Sequence, residues 1–165
     1  MKMLLLIQCI VCCILFTLII LPPLYKDPFV LIKSYPPAIV RRVEELPQYK
    51  DVIRKKEKKH IRKKIFGLLF FVLFLTALAY FSGCRSFTAT FLHVFAIFFA
   101  VNLYDMLVLD WGIFCHSQKL RIPGTEDMDK EYTDKLFHAR GAAIGCLLGL
   151  VVALLSGCIV HVALL

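Results

Sequence analysis

Four apolar runs separated by charged segments constrain this chain more than any other feature. A bilayer core is about 30 Å thick, and a helix of roughly 20 apolar residues can cross it with every backbone group satisfied internally. Four windows meet that length: 3–21, 65–83, 87–109 and 141–164. The first is expected to stop at Pro22-Pro23, because proline has no N–H for the helix ladder. The second begins directly after Lys63-Lys64. The expected fold class is an all-α membrane protein, a single integral membrane domain of four transmembrane helices. Its long basic cytoplasmic loop should carry short amphipathic helices.

Composition agrees with that class. Hydrophobic residues make up 59% of the 165 and charged residues 19%, too little polar surface for a soluble domain of this size. The net charge of +8 is segregated into loops beside apolar runs, which points to an anionic membrane surface and not to nucleic acid. The seven cysteines are odd in number, and five of them (Cys9, Cys12, Cys13, Cys146, Cys158) lie in apolar runs as small hydrophobes. Structural disulfides are not expected. No small-x-small site follows the first run, and Leu6-Ile7-Gln8 before Cys9 fits lipoprotein processing poorly, so an uncleaved anchor is expected.

Orientation follows from the basic residues. Of the 20 Lys and Arg, 13 fall in 22–64 and 5 in 110–140, leaving only Lys2 and Arg85. Four spans put both long segments on one side, predicted to be the cytoplasm, with both termini outside and the protein in the cell membrane. Three spans would divide the two basic segments between opposite sides.

The first segment, 22–64, is too long for a plain connection. Pro37 suits a first helical position, Ile39, Val40, Val43 and Leu46 share one face, and Pro47 ends the helix. The run from Lys50 to Lys64 is expected to extend the second span inward. Arg54, Lys55, Lys56, Lys58, Lys59, Arg62, Lys63 and Lys64, together with Arg121, are the candidates for anionic lipid headgroups. A solvated topology determinant is the simpler explanation of the same run. In the second segment, Pro123-Gly124 marks a turn and Thr125 or Asp127 can cap a following helix. That helix would carry Glu126–Lys130 and Glu131–Lys135 pairs, with Met128, Tyr132, Leu136 and Phe137 along the membrane surface. No glycine-rich phosphate loop or Cys/His metal cluster is present in either segment, so neither cofactor nor metal is expected.

The third run carries the candidate chemistry. Asp105 and Asp110 near the inner end of an apolar helix need partners or water. Asn102 and Asp105 share a helical face with Gly112 and His116, whereas Asp110 falls on another. His116, Arg121, His138 and Arg140 are predicted at the same boundary. Asp105, Asp110 and His116 are the catalytic or ion-binding candidates; the structural alternative pairs Asp105 or Asp110 with Arg140 to fix helix packing. The fourth run repeats small residues at Gly141, Gly145, Gly149, Ala153 and Gly157, a stripe that admits a close helix of the same chain or of a second copy. Cys9 with Cys12, and His93 with Cys158 and His161, have metal-like spacing but read more simply as packed thiols and hydrogen-bonded imidazoles.

The strings Ser34-Tyr35-Pro36-Pro37-Ala38-Ile39-Val40 and Leu109-Asp110-Trp111 through Arg121-Ile122-Pro123-Gly124-Thr125-Glu126-Asp127 resemble those of small bacterial membrane proteins without an assigned activity. The resemblance implies a bacterial multi-pass membrane protein and transfers no functional residue. Small four-helix drug exporters are similar in size only, since they carry their acid in the first helix and have very short loops. The Asp-Gly and Ala-Arg signature of CDP-alcohol phosphotransferases is absent. Three functions therefore compete. The first is a non-catalytic structural, accessory or partner-binding subunit, in contact with the bilayer and with a second copy or another membrane protein. The others are a proton- or cation-coupled transporter using Asp105, and a lipid-modifying enzyme using Asp105, Asp110, His116 and Arg121.

Overall fold

A computed structural model describes residues 2–164, with side chains described for all of these except 51 and 54–65. Every element is helical: α1 (Lys2–Lys26), α2 (Pro37–Glu45), α3 (Lys50–Phe81), α4 (Phe87–Tyr104), α5 (Asp129–Tyr132) and α6 (Lys135–Ala163). Beyond Tyr104, α4 runs on as a π-helix over Asp105–Phe114. Short 3-10 turns cover Pro28–Ser34, Pro47–Tyr49 and Gln118–Leu120.

Three stretches are long and apolar enough to cross a membrane: Lys2–Lys26, Phe87–Phe114 and Asp129–Ala163. The apolar part of α3, Phe66–Phe81, is shorter. Lipid is the physical environment these helices require. Along α1 only Leu24 is buried, while Leu6, Ile10, Ile14, Leu18 and Ile19 are exposed. A helix that is apolar all round and open on most sides is stable only in hydrocarbon.

α1 does not stop at Pro22-Pro23 as expected but reaches Lys26. Leu24 is buried in a core beyond the bundle, and Asp27 N–H bonds to the Pro23 carbonyl at 3.0 Å, so tertiary packing holds the last turn despite two missing donors. At the other end of the bundle, α3 turns back into α4 through Gly83, whose φ of +86° suits glycine. Ser86 then caps α4, its hydroxyl accepting from Ala89 N–H at 3.3 Å.

α6 packs along α4 through its small residues. A side chain at Gly145 would meet Asn102, one at Gly149 the Phe98 ring, and one at Gly157 Phe87, while nothing lies within 4 Å of Gly141. Asn102 donates to the Ala142 carbonyl at 2.9 Å and to Cys146 Sγ at 3.3 Å, a polar tie between two apolar helices. α1 is tied on by Thr17 to the Tyr104 hydroxyl at 2.9 Å and by Gln8, which bonds Ser82 Oγ at 2.9 Å and His93 Nε2 at 2.8 Å. His93 is therefore engaged with Gln8, while Cys158 and His161 are exposed. All seven cysteines are free.

The two charged segments fold together into one cap with its own core. Ile39 and Val43 of α2 are fully buried with Ile32, Tyr35, Ile53, Phe114, Leu120, Ile122, Met128 and Tyr132. The apolar side expected to lie along the membrane surface is thus divided: Met128 and Tyr132 enter the cap core, and Leu136 remains exposed. The expected helix after Thr125 or Asp127 is also shorter and starts later. Thr125 is buried and its hydroxyl donates to the Ile122 carbonyl at 2.7 Å, so it closes the turn instead of capping. Asp134 supplies the cap for α6, accepting from Leu136 and Phe137 N–H. Gly124, with φ of +91°, lies against Leu46 and joins the two segments.

The exposed pair Arg42–Asp127 at 3.0 Å also bridges them. Both partners face water, so Arg42→Ala should shift cap stability by less than about 1 kcal/mol in chemical denaturation. A larger loss would mean that this bridge holds the cap together.

Candidate functional site

The expected third helix becomes a π-helix where its acids begin. Its ladder closes one residue later than an α-helix, as in the 2.9 Å bond from Cys115 N–H to the Asp110 carbonyl. In an α-helix, residues five apart point about 140° away from each other. In the wider coil they come close to stacking. Asp110 is therefore not on a separate face: Asp105, Leu109, Asp110 and Phe114 all line one cavity of about 190 Å³.

The remaining walls come from three other parts of the chain. α1 contributes Phe16, Ile20, Leu21 and Leu24, the Pro28–Ser34 turn and Tyr35 close the cap side, and α6 contributes His138. Apart from the two carboxylates, His138, Ser34 and the Tyr35 phenol, the surface is mostly hydrocarbon. The volume exceeds the roughly 150 Å³ apolar cavity known to accept a benzene-sized guest.

Asp110 and His138 form the central contact, Oδ2 to Nδ1 at 3.1 Å. The His138 side chain is 4% exposed and Asp110 30%, so the pair spans from the protein interior towards water. His138 Nε2 is buried without a hydrogen-bond partner in the protein. Its Nδ1 faces a carboxylate, which orients the ring and leaves Nε2 in the interior. Tyr35 donates its hydroxyl to the Leu120 carbonyl at 3.1 Å. Burial, with Tyr132 beside it, pushes the Tyr35 phenol up, so it remains protonated and serves as a fixed wall.

The sequence candidates therefore separate. Asp105 and Asp110 converge, joined by His138 and not by Arg140, which is exposed. His116 faces outward, with Nδ1 on the Trp111 carbonyl at 2.9 Å. Arg121 turns into the cap, bonding Asp129 Oδ1 at 3.1 Å and lying 4.0 Å over the Tyr132 ring. Its side chain is 9% exposed, and its Nε and Nη1 lack hydrogen-bond partners in the protein. The headgroup candidates Arg54, Lys55, Lys56, Lys58, Lys59, Arg62, Lys63 and Lys64 lie outside the residues whose side chains are described. Among the described residues, no group of three or more His, Cys, Asp or Glu is arranged to hold a metal.

Two carboxylates on one apolar cavity repel each other, and a proton or a small cation between them removes that repulsion. A cation with an apolar body would also be accommodated by the Phe, Ile and Leu walls. Ser34 and Tyr35 carry no functional signal in the sequence, since the resemblance of the string that begins with them transfers no functional residue. No family model, curated protein or solved structure matches the chain.

Proposed function

We propose that this protein is a four-span integral membrane protein that binds a proton or small cation in its inner-end cavity and couples it to transport. The observation that carries this reading is the convergence of Asp105, Asp110 and His138 on one enclosed, mostly apolar space. Asp105 is the coupling acid, Asp110–His138 carries a proton between the cavity and water, and Tyr35 closes the cap side.

The four-span topology rests on the cap. Residues from both basic segments share one core, so the chain between them leaves that end and returns to it. Phe66–Phe81 would make the outward crossing. Its 16 residues rise about 24 Å, somewhat less than a hydrocarbon core. With 18 of the 20 basic residues in segments 22–64 and 110–140, the cap belongs in the cytoplasm, both termini outside, and the anionic headgroups beside α3.

A second reading, the non-catalytic accessory or partner-binding subunit, is favoured by the cap itself, a folded and charged surface at one end of the bundle. The lipid-modifying enzyme loses support because His116 and Arg121 point away from the two acids. Reconstituted vesicles separate the first two. Wild-type protein should dissipate a pH or cation gradient faster than empty vesicles, and Asp105→Asn should reduce the rate to background. Equal flux through both proteins would remove Asp105 from the coupling, and none above background in the wild type would leave the accessory reading.

A further inference from the structure

A second concavity lies on the cap side of the bundle, between the end of α1 and the end of the π-helix. It is an open groove of about 680 Å³ lined by Tyr25, Ile113, His116, Ser117, Gln118 and Lys119. It shares no residue with the Asp105 cavity and stands independently of the reading given to it. Five of its six lining side chains are polar, four of them (Tyr25, Ser117, Gln118 and Lys119) can donate hydrogen bonds to a ligand, and none is a carboxylate. Such a lining favours an anion.

Its position narrows the anion further. Tyr25 is near the last turn of α1, and Ile113 and His116 are at the end of the span that carries Trp111, an interfacial residue whose indole N–H bonds the Lys135 carbonyl at 3.2 Å. The His116 ring is fixed through Nδ1, which donates to the Trp111 carbonyl, so Nε2 is left as the acceptor of the ring, suited to a hydroxyl of a ligand. On α1, Leu18 and Ile14 stand seven and eleven residues before Tyr25 on the same helical face, and both are exposed. A headgroup in the groove would therefore have an apolar track for its acyl chains. Basic pockets between spans on the cytoplasmic side are suited to phospholipid headgroups.

We infer that this groove is a binding site for the headgroup of an anionic phospholipid, its phosphate held by Lys119 and Ser117 and a headgroup hydroxyl accepted by His116 Nε2. Native mass spectrometry of the full chain, titrated with phosphatidylglycerol or phosphatidylcholine in mild detergent, tests it. Phosphatidylglycerol should be retained as a discrete bound lipid in preference to phosphatidylcholine. Lys119→Gln should weaken its retention about fivefold, and Lys119→Arg should preserve it. Adding His116→Gln to Lys119→Gln should weaken it further, whereas Lys130→Gln on the exposed face of the cap should leave it unchanged. Equal retention of the two lipids, or wild-type retention in the groove variants, would overturn the site. So would a loss confined to Lys58→Gln/Lys59→Gln, which would place the lipid on the basic helix. Glycerol phosphate displacing the lipid at equal concentration would show a soluble anion site instead of a lipid site.

Discussion

Tyr132→Ala should cost the cap about 3–5 kcal/mol, as for removing a large, fully buried aromatic. The ring is completely buried, with Tyr35 and Phe114 each 6.0 Å away between centroids and the Arg121 guanidinium at 4.0 Å. Its hydroxyl also closes a small network. Thr125 gives its proton to the Ile122 carbonyl at 2.7 Å, so across the 2.8 Å contact Tyr132 must be the donor to Thr125. The same phenolic oxygen then accepts from Ile122 N–H at 3.0 Å. Tyr132→Phe keeps the ring but strands that buried N–H, at about 1–3 kcal/mol. Tryptic cleavage at Arg121, whose side chain is 9% exposed so that opening precedes cutting, reads both effects. At about 1.4 kcal/mol per factor of ten, the phenylalanine variant should be cut roughly ten to a hundred times faster and the alanine variant at least a hundred times. Trp111, the only tryptophan, reports whether the cap end of the bundle moves as well. Cleavage at the wild-type rate in the alanine variant would mean that the cap is not held by this core.

These residues also show where sequence reading ends. The apolar runs read directly as helices because hydrocarbon leaves a backbone no other way to satisfy itself, and length alone decides them. Pro37 and the Ile39–Val43 spacing likewise marked α2 and its buried face. Three features were not legible. Pro22-Pro23 looked like a stop, and only the burial of Leu24 in a core drawn from distant segments carries α1 past it. Met128 and Tyr132 have a pattern that suits a membrane surface as well as a protein core, and only the partner segment 32–43 distinguishes the two. The third is the π-helix. A 3.6-residue period separates Asp105 from Asp110, and nothing in Asp105–Phe114 announces the wider coil that brings them to one cavity. His138 was placed at the right depth, but its pairing with Asp110 depends on that coil.

The close approach of α6 to α4 leads to the second large effect. Between spans in a bilayer, association comes from van der Waals packing and interhelical hydrogen bonds, since lipid is as apolar as leucine. Gly149 is buried, and a Cβ there would stand 2.6 Å from Phe98 Cδ1, too close for the ring to remain in place. A leucine therefore drives the helices apart over more than one turn. Gly149→Leu should cost about 3 kcal/mol, the upper end for overpacking a filled interface. Displacement of α6 would also break the Asn102–Ala142 bond and draw His138 away from Asp110. Gly141→Ala is the control, because nothing lies within 4 Å of it and the span stays helical whether or not it is packed. Stability in detergent should fall sharply for the first variant and hold for the second, with flux through the cavity following the same order. If Gly149→Leu instead left the monomer stable and abolished only self-association, the stripe would be serving a second copy of the chain. Its contact with Phe87, Phe98 and Asn102 argues for the fold, and the inner-end site depends on that packing for its geometry.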